Sequence, residues 1–353
     1  MRRFLYMVVA ALVFLPSAKA QVGNSKLGLF NHLDAAISTG STGVGVDVTA
    51  PVGDYLALRA GFDFMPHFEM KMKFDIQMGD RKESKYDAAG NRVETKLDRM
   101  SKMMHDITGY QVDDQVDMIG EPSFYNFKLL VDVFPMKKNK HWHITAGCYW
   151  GPSTIARTYN TTEDMPSLLA VGLYNNIYDK VKAGEPITNY RGTEISISNE
   201  TFTNALLSSG RMGIHVGNWK HNVVQTADER YSPSWMPDDA IPEGAIVYRK
   251  GTPYMMEPDE NGMVKATMKV NRFRPYLGFG YGGRLLKNDN RYQIGFDCGV
   301  MFWGGSPSIV THDGTDLMND VENIGGKVGD YVDLARKFKV YPVVSLRIAR
   351  SLF

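Results

Sequence analysis

The last segment of the chain, "KVYPVVSLRIARSLF", alternates apolar and polar residues and then ends on an aromatic residue. A period of two residues predicts a β-strand with one apolar face. A strand of a soluble protein seldom ends on an exposed aromatic side chain, whereas a strand that spans a bilayer places aromatic residues at the membrane interface. The segment therefore favours a membrane-spanning strand.

Seven earlier segments show the same alternation, and the third can continue through "HFEMKMKFDIQ". Each pattern is typical of a strand with one face against an apolar environment. The eight predicted strands are Leu27–Ser38, Gly43–Ala50, Tyr55–Phe64, Phe124–Phe134, Trp142–Trp150, Val270–Tyr281, Tyr292–Phe302 and Val340–Phe353.

Apart from the first hairpin, whose connection "TGST" is also short, the connections between these strands alternate in length. The short ones contain "PVGD", "PMKKNKH" and "GGRLLKNDNR", whereas the long ones include insertions at about 77–121, 153–266 and 304–337. Outer-membrane barrels have short periplasmic turns and longer extracellular loops. The sequence therefore predicts an all-β fold, an antiparallel up-and-down transmembrane β-barrel of eight strands with long, partly helical extracellular loops.

The start of the chain has the features of a secretory signal peptide. Residues 1–20 combine a basic start, an apolar run and the small residues of Ala18-Lys19-Ala20. The apolar run is shorter than the ~20 residues that a spanning helix needs. We expect cleavage after Ala20, a mature barrel domain over residues 21–353, and a location in the outer membrane.

Four strand segments carry a resemblance to a known family: "GVGVDVTAPVGDYLALRAGFDF", "RPYLGFGYG", "RYQIGFDCGVMF" and "YPVVSLRI". They resemble the small outer-membrane β-barrel family of Gram-negative bacteria, the OmpA/OmpW-like barrels. The resemblance covers the strands only. It implies outer-membrane lipid and lipopolysaccharide as surroundings, and the barrel-assembly machinery as the partner during insertion. Members of this family usually end on an aromatic residue that faces outward. Here the outward positions of the last strand, Val344, Leu346 and Ile348, continue to Leu352, and Phe353 is one residue beyond the outward position.

The alternation also predicts which side chains face the barrel interior. An eight-stranded barrel is just wide enough to be filled by side chains, and buried charges are costly unless they are paired. We therefore expect an interlocked polar core, with a charge-lined pore as the alternative if the strand number is larger. The inward residues, five acids and five bases, are Asp34, Asp47, Arg59, Asp63, Lys128, Asp132, Arg272, Arg274, Asp297 and Arg347.

No catalytic, metal-binding or cofactor-binding residue is predicted. The "HWH" at His141–His143 is better explained as an interfacial belt, and His32 with Asp34 as a structural pair. The glycines of "GFGYGG" do not precede a helix, so they suit close packing rather than phosphate binding. The formal net charge of +1 gives no indication of a nucleic-acid partner.

The two cysteines, Cys148 and Cys298, are too few for a disulfide framework. Both fall on the outward face of their strands. We therefore expect free thiols in an apolar setting.

The insertions contain helical patterns. One has Leu97, Met100, Met104 and Ile107 at helical spacing; a second has Leu169, Leu173, Ile177 and Val181, with Pro166 near the start and Gly184 near the end. A third follows Ser198 or Asn199, and a fourth in "DGTDLMNDVENIGGKVGDYVDLARKF" is broken at Gly325-Gly326. Such stripes predict a folded extracellular cap, and the alternative is a face for an unknown extracellular ligand.

Three functions are compatible with these patterns. The first is a non-enzymatic outer-membrane barrel that presents an extracellular cap for structure, adhesion or interaction. The second is a small diffusion porin with ten or more strands, which gains support if "RMGIHVGNW" and "GAIVYRKG" are barrel strands. The third is a lipid-modifying enzyme with a reactive group at the outer rim.

Overall fold

The computed structural model describes residues 32–79, 83–136, 139–188, 194–195, 200–226, 230–233, 241–242, 245–286, 289–325, 329–330, 332–333, 336 and 339–352. The predicted signal peptide, the first residues of the first predicted strand and Phe353 lie outside them. The strands are β1 (Asp34–Gly40), β2 (Gly43–Val52), β3 (Leu56–Phe64), β4 (Met70–Met78), β5 (Gln115–Pro122), β6 (Tyr125–Val133), β7 (Trp142–Trp150), β8 (Thr154–Asn160), β9 (Ile187–Thr188), β10 (Glu194–Ile195), β11 (Met212–Trp219), β12 (Val223–Gln225), β13 (Arg230–Tyr231), β14 (Ile246–Tyr248), β15 (Pro253–Met256), β16 (Lys265–Lys269), β17 (Phe273–Leu286), β18 (Asp289–Phe302), β19 (Ser308–Thr311), β20 (Val321–Glu322) and β21 (Val340–Ser351). The helices are α1 (Lys96–Thr108), α2 (Met165–Ala183) and α3 (Glu200–Ser209).

Eight strands close into one antiparallel barrel in the order β1-β2-β3-β6-β7-β17-β18-β21. β21 closes the barrel against β1, with Ile37 opposite Ile348. The predicted fold class is confirmed, and each barrel strand overlaps one of the eight predicted segments. β17 continues past its predicted end at Tyr281 to Leu286, and β18 begins at Asp289, before its predicted start at Tyr292.

The outward face of the barrel is an apolar belt, as the period of two requires. The belt comprises Val46, Val48, Leu56, Leu58, Phe62, Leu129, Leu277, Phe279, Phe296, Val344, Leu346 and Ile348, each between 39% and 52% exposed. A continuous apolar surface of this extent is unfavourable in water and is buried in the hydrocarbon of a bilayer. Among the helices of the described residues, none is long and apolar enough to cross a membrane.

Exposed aromatic side chains border the belt at both ends. Tyr55, Trp142 and Tyr281 lie at one end, and Phe64 and Tyr125 at the other. Tyr55 precedes β3 and Phe64 is its last residue. They are nine residues apart, which is roughly 30 Å along a strand. A strand tilt of about 40° reduces their separation along the membrane normal to roughly 23 Å. That height is close to the ~25 Å apolar band of outer-membrane barrels.

The insertions form a cap at the Phe64 end, made of the described residues within 65–123, 151–272 and 303–339. Its main sheet has the order β15-β11-β4-β5-β8-β16-β19, and β20 pairs with β11. Five of these strands directly precede or follow barrel strands and keep the barrel's neighbour order. The cap sheet is therefore a continuation of the barrel wall.

This continuation corrects the predicted insertion boundaries. The segment "HFEMKMKFDIQ" forms β4 in the cap sheet instead of lengthening β3, and the cap therefore begins well before residue 77. The two segments that could have enlarged the barrel form strands elsewhere. "RMGIHVGNW" includes β11, which belongs to the cap sheet, and "GAIVYRKG" includes β14, which forms a small sheet with β12 and β13. The closed barrel consequently has eight strands.

The cap has a hydrophobic core of its own, to which α1, α2 and α3 contribute Met104, Leu168, Tyr174 and Leu206. The predicted apolar stripe of α2 is partly wrong, because Leu169 and Leu173 are 40% and 43% exposed. The neighbouring face is buried instead. Asn175 on that face exchanges two hydrogen bonds with the main chain of Met212, at 2.7 and 2.8 Å, and this polar contact sets the rotation of the helix.

The fourth predicted helix is also wrong over its described first part, which forms turns and β20. The Asp316 carboxylate accepts hydrogen bonds from the main-chain N–H groups of Ile309 and Met318, at 3.2 and 3.0 Å. Side-chain bonds of this kind compete with helix formation. Much of the rest of this segment lies outside the described residues.

Candidate functional site

The first cluster of the barrel interior is centred on Arg59, which is 3% exposed. Its guanidinium donates to both oxygens of Asp132, with Nη2 at 2.7 and 2.6 Å, and to both oxygens of Asp297, at 3.1 and 3.2 Å. Thr145 donates to Asp132 at 2.7 Å, and His143 Nε2 lies 2.9 Å from Asp297 Oδ1. Five side chains from β3, β6, β7 and β18 thus meet in the lumen.

The second cluster lies nearer the cap and is centred on Lys128. Its Nζ is 2.6 Å from Asp63 Oδ1 and 2.7 Å from Asp47 Oδ1, the latter as an ion pair without hydrogen-bond alignment. Gly61 makes this approach possible, because a Cβ there would lie 2.1 Å from the Asp47 carboxylate and 2.8 Å from Lys128 Cε. Thr42 donates to Asp63 at 3.0 Å and completes the cluster.

Three other predicted interior residues have neutral or distant partners. Arg274 is buried and donates to the Asn126 side chain at 2.5 Å and to the carbonyl oxygen of Pro152. Arg347 is half-buried and donates to the Thr49 hydroxyl at 3.2 Å. Asp34 is buried near one end of the barrel.

Closure of the barrel sets the last predicted strand against the first and the seventh, which predicts ion pairs of Arg347 with Asp34 and Asp297, and the structure corrects this expectation. Within the described part of the chain, Asp297 pairs with Arg59 and His143, and the ion-pair contact of Asp34 is with His32, at 3.8 Å. The Arg347 side chain points inward, as the alternation predicts.

The structure corrects two further assignments. Arg272 is exposed and precedes β17, so it does not face the lumen. His143, expected with His141 in an interfacial belt, is 4% exposed and belongs to the Arg59 cluster. The alternation itself could have placed His143 inside, because Trp142 and Ile144 on either side of it face outward.

An apolar layer lies in the lumen beside the polar clusters. It consists of the inward side chains of Leu130, Tyr149, Tyr276, Met301 and Val343, all buried. Tyr149 and Tyr276 pack edge to face, with ring centroids 5.4 Å apart. The prediction from the sequence included only charged residues at inward positions and therefore missed this layer. The same period of two also places these five apolar residues inward.

These two clusters and the apolar layer are buried in the lumen of the barrel. Paired charges stabilise one arrangement of strands when each has its partners. The interior of an eight-stranded barrel is just wide enough to be filled by side chains.

The cap contains an open cleft of about 1510 Å³ at its far end from the barrel. One wall is aromatic at Tyr248, which stacks on Trp219 at 4.7 Å; Trp219 and Tyr254, which meet edge to face at 5.0 Å, lie behind it in the core of the cap. The lining also includes charges of both signs, from Lys182, at the end of α2, and from Arg211 and Glu257. A cleft with an aromatic wall and charged groups of both signs can hold an amphipathic ligand.

Arg211 is held in place at the cleft by two acidic partners. It donates to Glu257 at 2.7 and 2.5 Å and also to Asp179. Burial opposes the charged form, but the Glu257 and Asp179 carboxylates outweigh it and raise the pKa of Arg211. Its guanidinium is therefore a fixed positive charge at the rim of the cleft.

The fold defines this chain as an eight-stranded, membrane-type β-barrel with a folded cap. No protein-family model and no curated protein matches the chain. Among solved structures it is similar to Acinetobacter baumannii CarO2, with 11% identity and a TM-score of 0.34 over 93% of this chain and 100% of that chain. A. baumannii CarO gives 11% and 0.34 over 90% and 97%. A major outer membrane protein from Thermus thermophilus gives 10% and 0.23 over 91% and 98%.

Proposed function

We propose that the protein is an outer-membrane barrel that does not conduct and that anchors a folded interaction cap at the cell surface. The observation that supports this most is the filled lumen. Arg59 and Lys128 each pair with two carboxylates inside the barrel, while the cap extends the wall of the same barrel and has its own core.

The proposed orientation places the cap outside the cell. The long insertions all leave the Phe64 end of the barrel, and outer-membrane barrels have their long loops outside. The predicted signal peptide, with cleavage after Ala20, supplies the route of export, and the aromatic residues at both ends of the belt suit the two interfaces of the membrane. Outer-membrane lipid and lipopolysaccharide would then surround the belt.

The cleft with Tyr248 and Arg211 in its walls is the proposed interaction surface of the cap. Binding sites are often held on loops above a rigid scaffold, and here the scaffold is a closed sheet. Both adhesion and binding of an extracellular ligand are compatible with this surface.

The porin alternative requires ten or more strands, and the barrel has eight. The direct test is conductance across a planar bilayer that contains the refolded protein. We expect no stepwise single-channel current. Protease digestion of the same membranes must show that the barrel is folded and inserted, and regular current steps from such a preparation would refute the proposal.

The orientation is tested on intact cells by limited protease treatment followed by mass spectrometry. We expect the protease to cleave within the cap, that is within residues 65–123, 151–272 or 303–339, while the outer membrane is intact. Cleavage that appears only after the outer membrane is permeabilised would show that the cap faces the periplasm.

That the protein is not an enzyme stays a prediction. A lipid-modifying activity would need a reactive group at the outer rim. Incubation of the refolded protein with lipopolysaccharide, followed by mass spectrometry of the lipid, tests it; a mass change that depends on the protein would contradict the prediction.

A further inference from the structure

Three potential metal ligands meet on the outer face of the cap sheet, where it joins the barrel. The β4–β5 ladder pairs Met70 with Gly120. One position nearer the barrel, Glu69 therefore lies opposite Glu121, and His67 follows two residues away on the same face. One ligand atom of each residue lies within 4.8 Å of the others, and His67 Nε2 is 3.3 Å from Glu121 Oε1.

This arrangement places two like charges directly opposite each other. Such a cross-strand pair destabilises a sheet unless a cation lies nearby. Within the described part of the chain, no lysine or arginine forms an ion pair with Glu69 or Glu121, although Arg157 is opposite Glu121 in the β5–β8 ladder. The histidine is the basic group that approaches the pair.

A fourth residue orients one of the carboxylates. The Tyr159 hydroxyl, on β8, donates a hydrogen bond to Glu121 Oε1. This hydrogen bond fixes the direction in which Glu121 Oε1 points. Metal-binding carboxylates commonly have such outer partners.

We propose that His67, Glu69 and Glu121 bind a divalent transition-metal ion of the Zn²⁺ class. Imidazole selects this class over Ca²⁺ or Mg²⁺. Zn–N and Zn–O bonds of about 2.0–2.2 Å in tetrahedral geometry place ligand atoms roughly 3.4 Å apart, which agrees with the 3.3 Å between His67 and Glu121. A ligand atom of Glu69, which is exposed, lies within 4.8 Å of the other two, and we expect this side chain to move closer on binding. Three protein ligands leave a coordination position open to an outside group.

The position gives the site a role separate from the cleft. It lies just beyond Phe64 and Tyr125, at the level where the aromatic end of the belt meets the headgroup region. Glu69 is nine residues from Met78, which lines the cleft, roughly 30 Å along a strand. A metal ion there would hold the start of β4 against β5 and stiffen the junction of barrel and cap.

The test is calorimetric titration of ZnCl₂ into the full-length mature protein, refolded in detergent and freed of metal with a chelator. We expect one saturable Zn²⁺ per chain. His67→Gln and Glu121→Gln should each weaken binding at least tenfold, and Tyr159→Phe about 10–100-fold, the usual effect of losing an outer partner. His221→Gln is the matched control, because His221 is also beside a carboxylate of the cap, with Nε2 3.2 Å from Asp320.

A stability measurement separates metal binding from a purely structural role. Without metal, Glu69→Gln should raise the thermal unfolding midpoint of the cap, because it removes the like-charge pair; with saturating Zn²⁺ the order should reverse. Absence of saturable binding, or equal binding by the wild type and the His67 and Glu121 variants, would overturn the proposal. Neither result would affect the proposed non-conducting barrel, which is tested by current measurements.

Discussion

Replacing Arg59 by methionine tests whether the interior clusters hold the barrel together. The change keeps a long side chain but removes the charge that serves both Asp132 and Asp297. Asp132 would retain the hydroxyl of Thr145 as a partner, and Asp297 would retain His143. Two buried carboxylates would thereby lose their permanent positive charge.

The size of the effect follows from burial. Removing one partner of a buried ion pair typically costs about 3–5 kcal/mol, because the other charge remains buried without compensation. Each carboxylate keeps one hydrogen bond, so we expect a loss of about 3–5 kcal/mol in the free energy of unfolding and not the sum for two separate pairs. Adding Asp132→Asn to Arg59→Met should recover part of the loss, since it removes one of the uncompensated charges.

The assay is urea unfolding of the protein in phospholipid vesicles, followed by tryptophan fluorescence and by mobility of unboiled samples on a gel. The matched control is Arg272→Met, which removes the same charge from an exposed position; its effect should stay within about 0.5 kcal/mol. An unchanged midpoint for Arg59→Met, or an equal loss for Arg272→Met, would refute the assignment of Arg59 to a stabilising core.

Three further predictions concern other parts of the molecule. Cys148 and Cys298 are free and on the outward face, so charged maleimides should not label them in intact cells; labelling, or a disulfide found by mass spectrometry, would contradict this. In the α1 capping box, burial opposes the charged form of Asp98, but hydrogen bonds from Thr95 and Arg92 outweigh burial and lower the pKa of Asp98. The stabilisation that Asp98 contributes is therefore present above its unfolded pKa and is lost as the pH falls through its lower folded pKa. Hydrogen exchange, corrected for the intrinsic exchange rate, should show that the protection of α1 in the wild type falls at acid pH. In Asp98→Asn the protection of α1 should be weaker at neutral pH and should change little as the pH falls. Finally, the protein should fractionate with outer membranes and migrate faster when unboiled, and recovery of the mature chain from the soluble periplasm would disprove the location.

The barrel could be predicted from the sequence because one local rule applies along every strand. A strand with lipid on one side and the lumen on the other must alternate, and the alternation fixes both the strand and its facing. The rule places Arg59, Lys128 and Asp297 inside, and their burial agrees with that placement. It fails at Arg272, because that residue precedes the first residue of β17 and the alternation no longer applies to it.

The pairing inside the barrel and the packing of the cap could not be predicted in the same way. Arg347 faces inward, but its partner depends on where side chains from distant strands end, and Thr49 is nearer than either expected carboxylate. On α2, the spacing of apolar residues selects Leu169, whereas the hydrogen bonds of Asn175 to Met212 turn the adjacent face inward. Both depend on long-range contacts, which a local pattern does not contain.

The continuity of barrel and cap is what the proposed surface function depends on. β4, β5 and β8 keep the neighbour order of β3, β6 and β7, so the hydrogen-bonded wall passes from the belt into the cap. A cap on flexible loops would move relative to the membrane, whereas this sheet fixes the cleft at a set height and direction above it. The polar clusters and the apolar layer keep the lower part of this wall in one closed shape. In the proposed function, the barrel is therefore the rigid base, and the cleft in the cap is the surface that binds.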